Sequence, residues 1–171
     1  MAFLITAPDL SGLPPIGAVL SGKVVASGTT RPLVPLGTIV RAVDPTFGEG
    51  EFIYLKGLAS TAVGEVVIYD TYANTTKRGV AGDRGMAAVA MSANVANQYG
   101  WYQIAGAAVV KVATAFAANA NVYWTATAGT PDDAVVAGDK IDGIRSKTAI
   151  DTPTTGYAVC QLAYPSANAN G

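Results

Sequence analysis

Residues 51–56, EFIYLK, and residues 65–70, EVVIYD, decide the fold class. In the first, Ile53 and Leu55 alternate with Phe52 and Tyr54; in the second, Val67 and Tyr69 alternate with Val66 and Ile68. A strand sends successive side chains to opposite faces, so apolar residues in both alternate sets predict strands covered on both sides. Further short alternating runs, separated by Gly, Asn, Asp and Pro, are Thr38–Val43, Gly85–Ser92, Tyr99–Ala105, Ala108–Ala113, Asn121–Thr127, Lys140–Arg145 and Tyr157–Ala163. That spacing predicts a mostly β protein, a compact antiparallel β-barrel or β-sandwich. Alanine-rich Met86–Ala96 and Ala113–Ala120 favour helix by propensity, so one short helix is expected within 90–98 or 113–119.

Upstream of this body the pattern changes. Residues 1–37 hold five of the chain's nine prolines, Pro8, Pro14, Pro15, Pro32 and Pro35, interleaved with glycines. Proline fixes φ and removes a backbone donor, so the segment reads as an extended Pro/Gly-rich N-terminal arm in which only Lys23–Ala26 is strand-like. It is too apolar for a free linker and is expected to lie on a surface, its own body's or a neighbour's. The organisation expected is therefore an arm over 1–37, a β domain over 38–164 and a flexible C-terminal tail over 165–171, small and polar.

Composition restricts the chemistry. The 171 residues include no histidine and one cysteine, and only 13% are charged, against about a quarter in ordinary domains. Histidine is the usual general base and metal ligand near neutral pH, so no enzyme activity, no cofactor and no metal site is expected. With 11 basic and 12 acidic residues the net charge is −1, which offers no general attraction to nucleic acid or to an anionic membrane. A surface this poor in charge predicts uncharged patches that meet a partner, hence an oligomer or a docked subunit. No secretory leader and no transmembrane helix are expected.

Individual candidates read mostly as structure. Cys160 alternates with Ala158 and Leu162 on one face of its strand, as a small buried hydrophobe would. Asp132, Asp133, Asp139 and Asp142 do not follow a calcium-loop spacing and read as turn formers. Lys77, Arg78 and Arg84 read as a solvated turn. Tyr99, Trp101 and Gln103 share one strand face, and two readings stand: they stack on a sugar or on a partner's apolar surface, or they fill the core.

Residues 100–112, GWYQIAGAAVVKV, then 117–130, AANANVYWTATAGT, then 136–144, VAGDKIDGI, resemble small structural proteins of tailed bacteriophages, most of all capsid decoration (cement) proteins. The resemblance spans roughly residues 85–163. It implies a mostly β protein, made in the host cytoplasm, that sits on the capsid exterior of the virion and bridges neighbouring capsid subunits of the expanded shell. Its implied partners are the major capsid protein and other copies of itself, as a trimer or dimer. Contacts are then expected from Phe3, Leu4, Ile5, Leu10, Leu13, Pro14, Pro15 and Ile16 of the arm and from Tyr99 and Trp101. The alternative is a receptor- or glycan-binding module, or another tail or spike protein of a virion, marked by Tyr99 and Trp101 exposed together in a groove.

Overall fold

All regular structure among the described residues is β. The computed structural model of the chain describes residues 4–5, 13–17, 23–24, 30–58, 60–94 and 98–168. Its strands are β1 (Leu4–Ile5), β2 (Lys23–Val24), β3 (Thr30–Arg31), β4 (Ile39–Asp44), β5 (Gly48–Lys56), β6 (Val66–Tyr69), β7 (Thr76–Arg78), β8 (Gly85–Ala90), β9 (Tyr99–Lys111), β10 (Asn121–Tyr123), β11 (Lys140–Ser146) and β12 (Tyr157–Ala167). Apart from the small β2–β3 ribbon they form one curled antiparallel sheet in the order β1-β4-β5-β9-β12-β8-β6-β7, with β10 and β11 continuing from β12. Expected boundaries mostly hold. Exceptions are β1, β3 and β7, too short to show a period, β10, which stops at Tyr123 where the strand was expected to reach Thr127, and β9, which runs unbroken through the two strands expected at Tyr99–Ala105 and Ala108–Ala113.

Both decisive stretches are covered on both faces. Phe52 and Tyr54 of β5 lie in one apolar cluster with Val40, Ala42, Met91, Tyr99, Trp101 and Ile16. Ile53 and Leu55 lie in another, with Val67 and Tyr69 of β6, Ala88, Ala90, Tyr102 and Ile104. The other face of β6, Val66 and Ile68, belongs to a third cluster built on β9 to β12 around Phe116, Trp124 and Leu162. The sheet is thus the middle of the molecule, with apolar packing on either side of β5 and β6.

A fork in the sheet produces the curl. Strands β9 and β12 pair from Lys111 with Tyr157 to Ala105 with Ala163, then part. Into the gap fits β8, whose Gly85 and Met86 pair with β12 and whose Val89 and Ala90 pair with β9. The bend in β9 falls at Gly106, at φ 94°, where an added Cβ would stand 2.4 Å from the Glu49 carbonyl oxygen. Only glycine fits so close an approach at that φ. Buried Gln103 braces the bend, its Nε2 donating to the Ala105 and Ala107 carbonyls at 3.1 and 2.9 Å.

The helix expected within 113–119 does not form. Ala115 and Asn119 take φ of 68° and 58°, and left-handed residues cannot continue a right-handed helix. Of the other expected location, residues 95–97 lie outside the described residues, and 90–94 and 98 are not helical. At the carboxyl end, β12 continues through Pro165 to Ala167, with both buried, so ordered pairing reaches past the boundary expected at 164. Ala169 to Gly171 lie outside the described residues.

Candidate partner-binding surface

The aromatic face is internal. Trp101 is completely buried and Tyr99 nearly so, with Tyr54 between them: its ring centroid lies 5.1 Å from Trp101 and 6.2 Å from Tyr99. What covers them is the chain's own arm. Ile16 is buried in the same cluster, Leu13, Val34 and Leu36 pack against it, and the Trp101 indole Nε1 donates to the Pro14 carbonyl at 2.9 Å. An indole buried in an apolar cluster needs an acceptor for its one N–H, and the proline carbonyl supplies it.

This corrects several contacts expected from the sequence. Tyr99 and Trp101 are not presented to a partner, because residues 13–16 and 34–36 close over them. The exposed stacking groove that would mark a glycan-binding module is not formed there. Leu13, Pro14 and Ile16 face their own body, while Pro15 points outward. Leu4 and Ile5 pair through their backbones with Val43 and Ala42 of β4. Phe3 and Leu10 lie outside the described residues.

Charged groups serve the fold. Glu65 is 1% exposed and accepts from Arg78 Nε and Nη2 at 2.7 and 2.6 Å, from Lys111 Nζ at 3.2 Å and from the Ala62 amide at 3.0 Å. Arg78 also donates to the Ala128 carbonyl, so this cluster ties β7, β9 and two loops together. The solvated turn expected at Lys77, Arg78 and Arg84 is therefore a set of pairs: Lys77 with Asp83, Arg78 with Glu65, Arg84 with Asp139. Asp139 also accepts from the Gly82 amide, Asp132 accepts from the Asp133 amide, and Asp142 pairs with Lys140. Among the described residues no three His, Cys, Asp or Glu side chains converge to hold a metal. Cys160 is buried with Ala158 and Leu162, and burial pushes its thiol pKa up to about 12.

One exposed apolar patch among the described residues lies on β4 and its neighbours. Val40, Ala42 and Asp44 point inward, leaving Ile39 and Val43 outward at 53% and 38% exposure on either side of Arg41. Across the sheet, Glu51 on β5 accepts from Arg41 Nε at 2.9 Å and from the Tyr164 hydroxyl of β12. That bond to a carboxylate holds the Tyr164 phenol above its usual pKa. Tyr164 remains 51% exposed. The result is a patch of apolar side chains around an internally paired charge, bordered by the β1 pairing of the arm. Tyrosine and arginine are enriched at interfaces, and a pre-paired charge costs less to cover than a lone one. The alternation in residues 39–44 was readable, but nothing in it said which apolar set faced outward.

No family model and no curated protein matches this chain.

Proposed function

We propose that this chain is a structural virion protein that binds the outer surface of a phage capsid and stabilises the expanded shell by bridging neighbouring capsid subunits. The observation that carries the reading is the outward β4 patch of Ile39, Val43 and Tyr164, continuous with the arm at β1. An exposed apolar face whose charges are paired internally suits area-based contact with a repeating lattice, where many modest contacts add by avidity. The phage-like stretches 100–112, 117–130 and 136–144 support the same reading and fall on β9, β10 and β11 with their connecting loops. A structural role of this kind calls on no catalytic residue.

The test is binding of Ile39→Asp/Val43→Asp to expanded shells stripped of the protein. Both positions are exposed, so the fold should be kept, as circular dichroism would report. The double variant should lose most of its co-sedimentation with the shells, and the shells should lose the gain in melting temperature that the wild type gives them. Wild-type-like binding by the folded variant would remove the β4 patch from the proposal.

A further inference from the structure

Tyr72 is 97% exposed at the tip of the turn joining β6 to β7. The turn beneath it is fixed. The Asp70 carboxylate accepts from the Tyr72 and Ala73 amides at 2.7 and 2.8 Å, and the Asn74 amide donates to the Asp70 carbonyl at 2.8 Å. The Lys56 amide donates to the Asn74 carbonyl at 3.0 Å, anchoring the turn to β5. A large aromatic held out on a rigid stalk loses little conformational entropy when it is covered, which is the character of an interface anchor. None of residues 71–76 is charged.

Directly beside this knob is a hole. A cleft of about 570 Å³ opens between β6, β7 and the start of β8, and Asp70, Thr71, Thr75 and Thr76, the residues flanking Tyr72, form one of its walls. Ile68 and Met86 also line it, apolar surface for a ring, and Arg84 lines it with a guanidinium that can lie on an aromatic face. Exposed Thr71 and Thr75 offer hydroxyls to a phenol at the rim, whereas the Thr76 hydroxyl is already bonded to the Lys56 carbonyl and the Tyr102 hydroxyl. Its cations are already paired, Lys77 with Asp83 and Arg84 with Asp139, so a neutral side chain suits the site better than an anion.

A protruding ring and a receptive cleft on one patch, built from the same turn, are self-complementary under a two-fold rotation. We propose that two copies of this chain associate about such an axis, each Tyr72 seated in the other's cleft. The association is a property of the free protein and does not rest on the capsid reading. Each covered tyrosine removes about 150–250 Å² from water, below the roughly 800 Å² per partner of a standard interface, so the dimer is weak, with a dissociation constant on the order of 10–100 µM.

Sedimentation velocity of the full chain across a concentration series tests this. The wild type should pass from monomer to dimer and stop there. Tyr72→Ala, which removes the knob, and Thr75→Trp, which fills the mouth of the hole from an exposed position, should each weaken association at least about tenfold. Val135→Ser, at another exposed apolar position, should not. Mixing the two variants restores one knob and hole per pair, so the mixture should associate more strongly than either variant alone. A wild type that is monomeric at about 1 mM, ten times the upper estimate, overturns the proposal. So does a dimer indifferent to both variants, or a mixture no better than its components.

Discussion

Replacing Ile16 with Ala probes the contact that most changes how this chain is understood, the docking of its arm on its own body. Ile16 is buried against the Tyr54, Tyr99 and Trp101 cluster, and the substitution removes three carbons there while leaving the bond from Trp101 to the Pro14 carbonyl available. At about 0.8 kcal/mol per buried methylene the loss is about 2.4 kcal/mol. It has a ceiling. Once residues 13–17 detach, no further cost follows, so the measured loss cannot exceed the net docking free energy of that segment. Urea unfolding followed by tryptophan fluorescence and by far-UV circular dichroism reads both quantities. With a denaturant slope of about 1–3 kcal/mol/M, the fluorescence midpoint should fall by about 0.8–2.4 M. If the segment lifts first, the emission should shift red and acrylamide quenching should rise before the β signal is lost. A midpoint unchanged within about 0.2 M, with quenching as in the wild type, would refute the docked arm.

Two other predictions concern the body. Glu65→Gln keeps the shape but leaves Arg78 and Lys111 without their carboxylate; breaking a buried pair costs about 3–5 kcal/mol, and partial exposure of both cations reduces this to about 2–3 kcal/mol. A urea-derived loss below about 0.5 kcal/mol would contradict the network's role. Cys160 should resist thiol reagents at pH 8 in the native state and react only as the protein unfolds. Its folded pKa is raised above the unfolded value of about 8.5, so its contribution to stability is whole below that pH and declines as pH climbs toward about 12. Equal reactivity in native and unfolded protein, or stability flat from pH 8 to 11 in the wild type relative to Cys160→Ala, would contradict its burial.

Much of the fold was legible because its signals are local. Two apolar sets in each of 51–56 and 65–70 foretold strands packed on both faces, and within each stretch the two sets entered different clusters. Alternation around Cys160 foretold its side of β12. What could not be read was set by distant partners. Gln103 shares the face of Trp101, but its function at the β9 bend depends on Gly106 and the carbonyls beyond it. Glu65, Arg78 and Lys111 are far apart in sequence, and no spacing rule joins them. Likewise, propensity favoured helix at 113–119, where the turns between β9 and β10 dictate left-handed residues instead. Exposure of Ile39, Val43 and Tyr72 depends on which faces the rest of the chain leaves open.

The central claim is that the protein docks on an assembled, expanded capsid. Its most direct test is saturation binding of the purified full chain to expanded heads stripped of it, with unexpanded shells in parallel, scored by co-sedimentation. The account predicts saturable binding to expanded shells alone, at a fixed ratio to the capsid protein that identifies the symmetry axis occupied. Absence of binding to expanded shells, or equal binding to both forms, would contradict it.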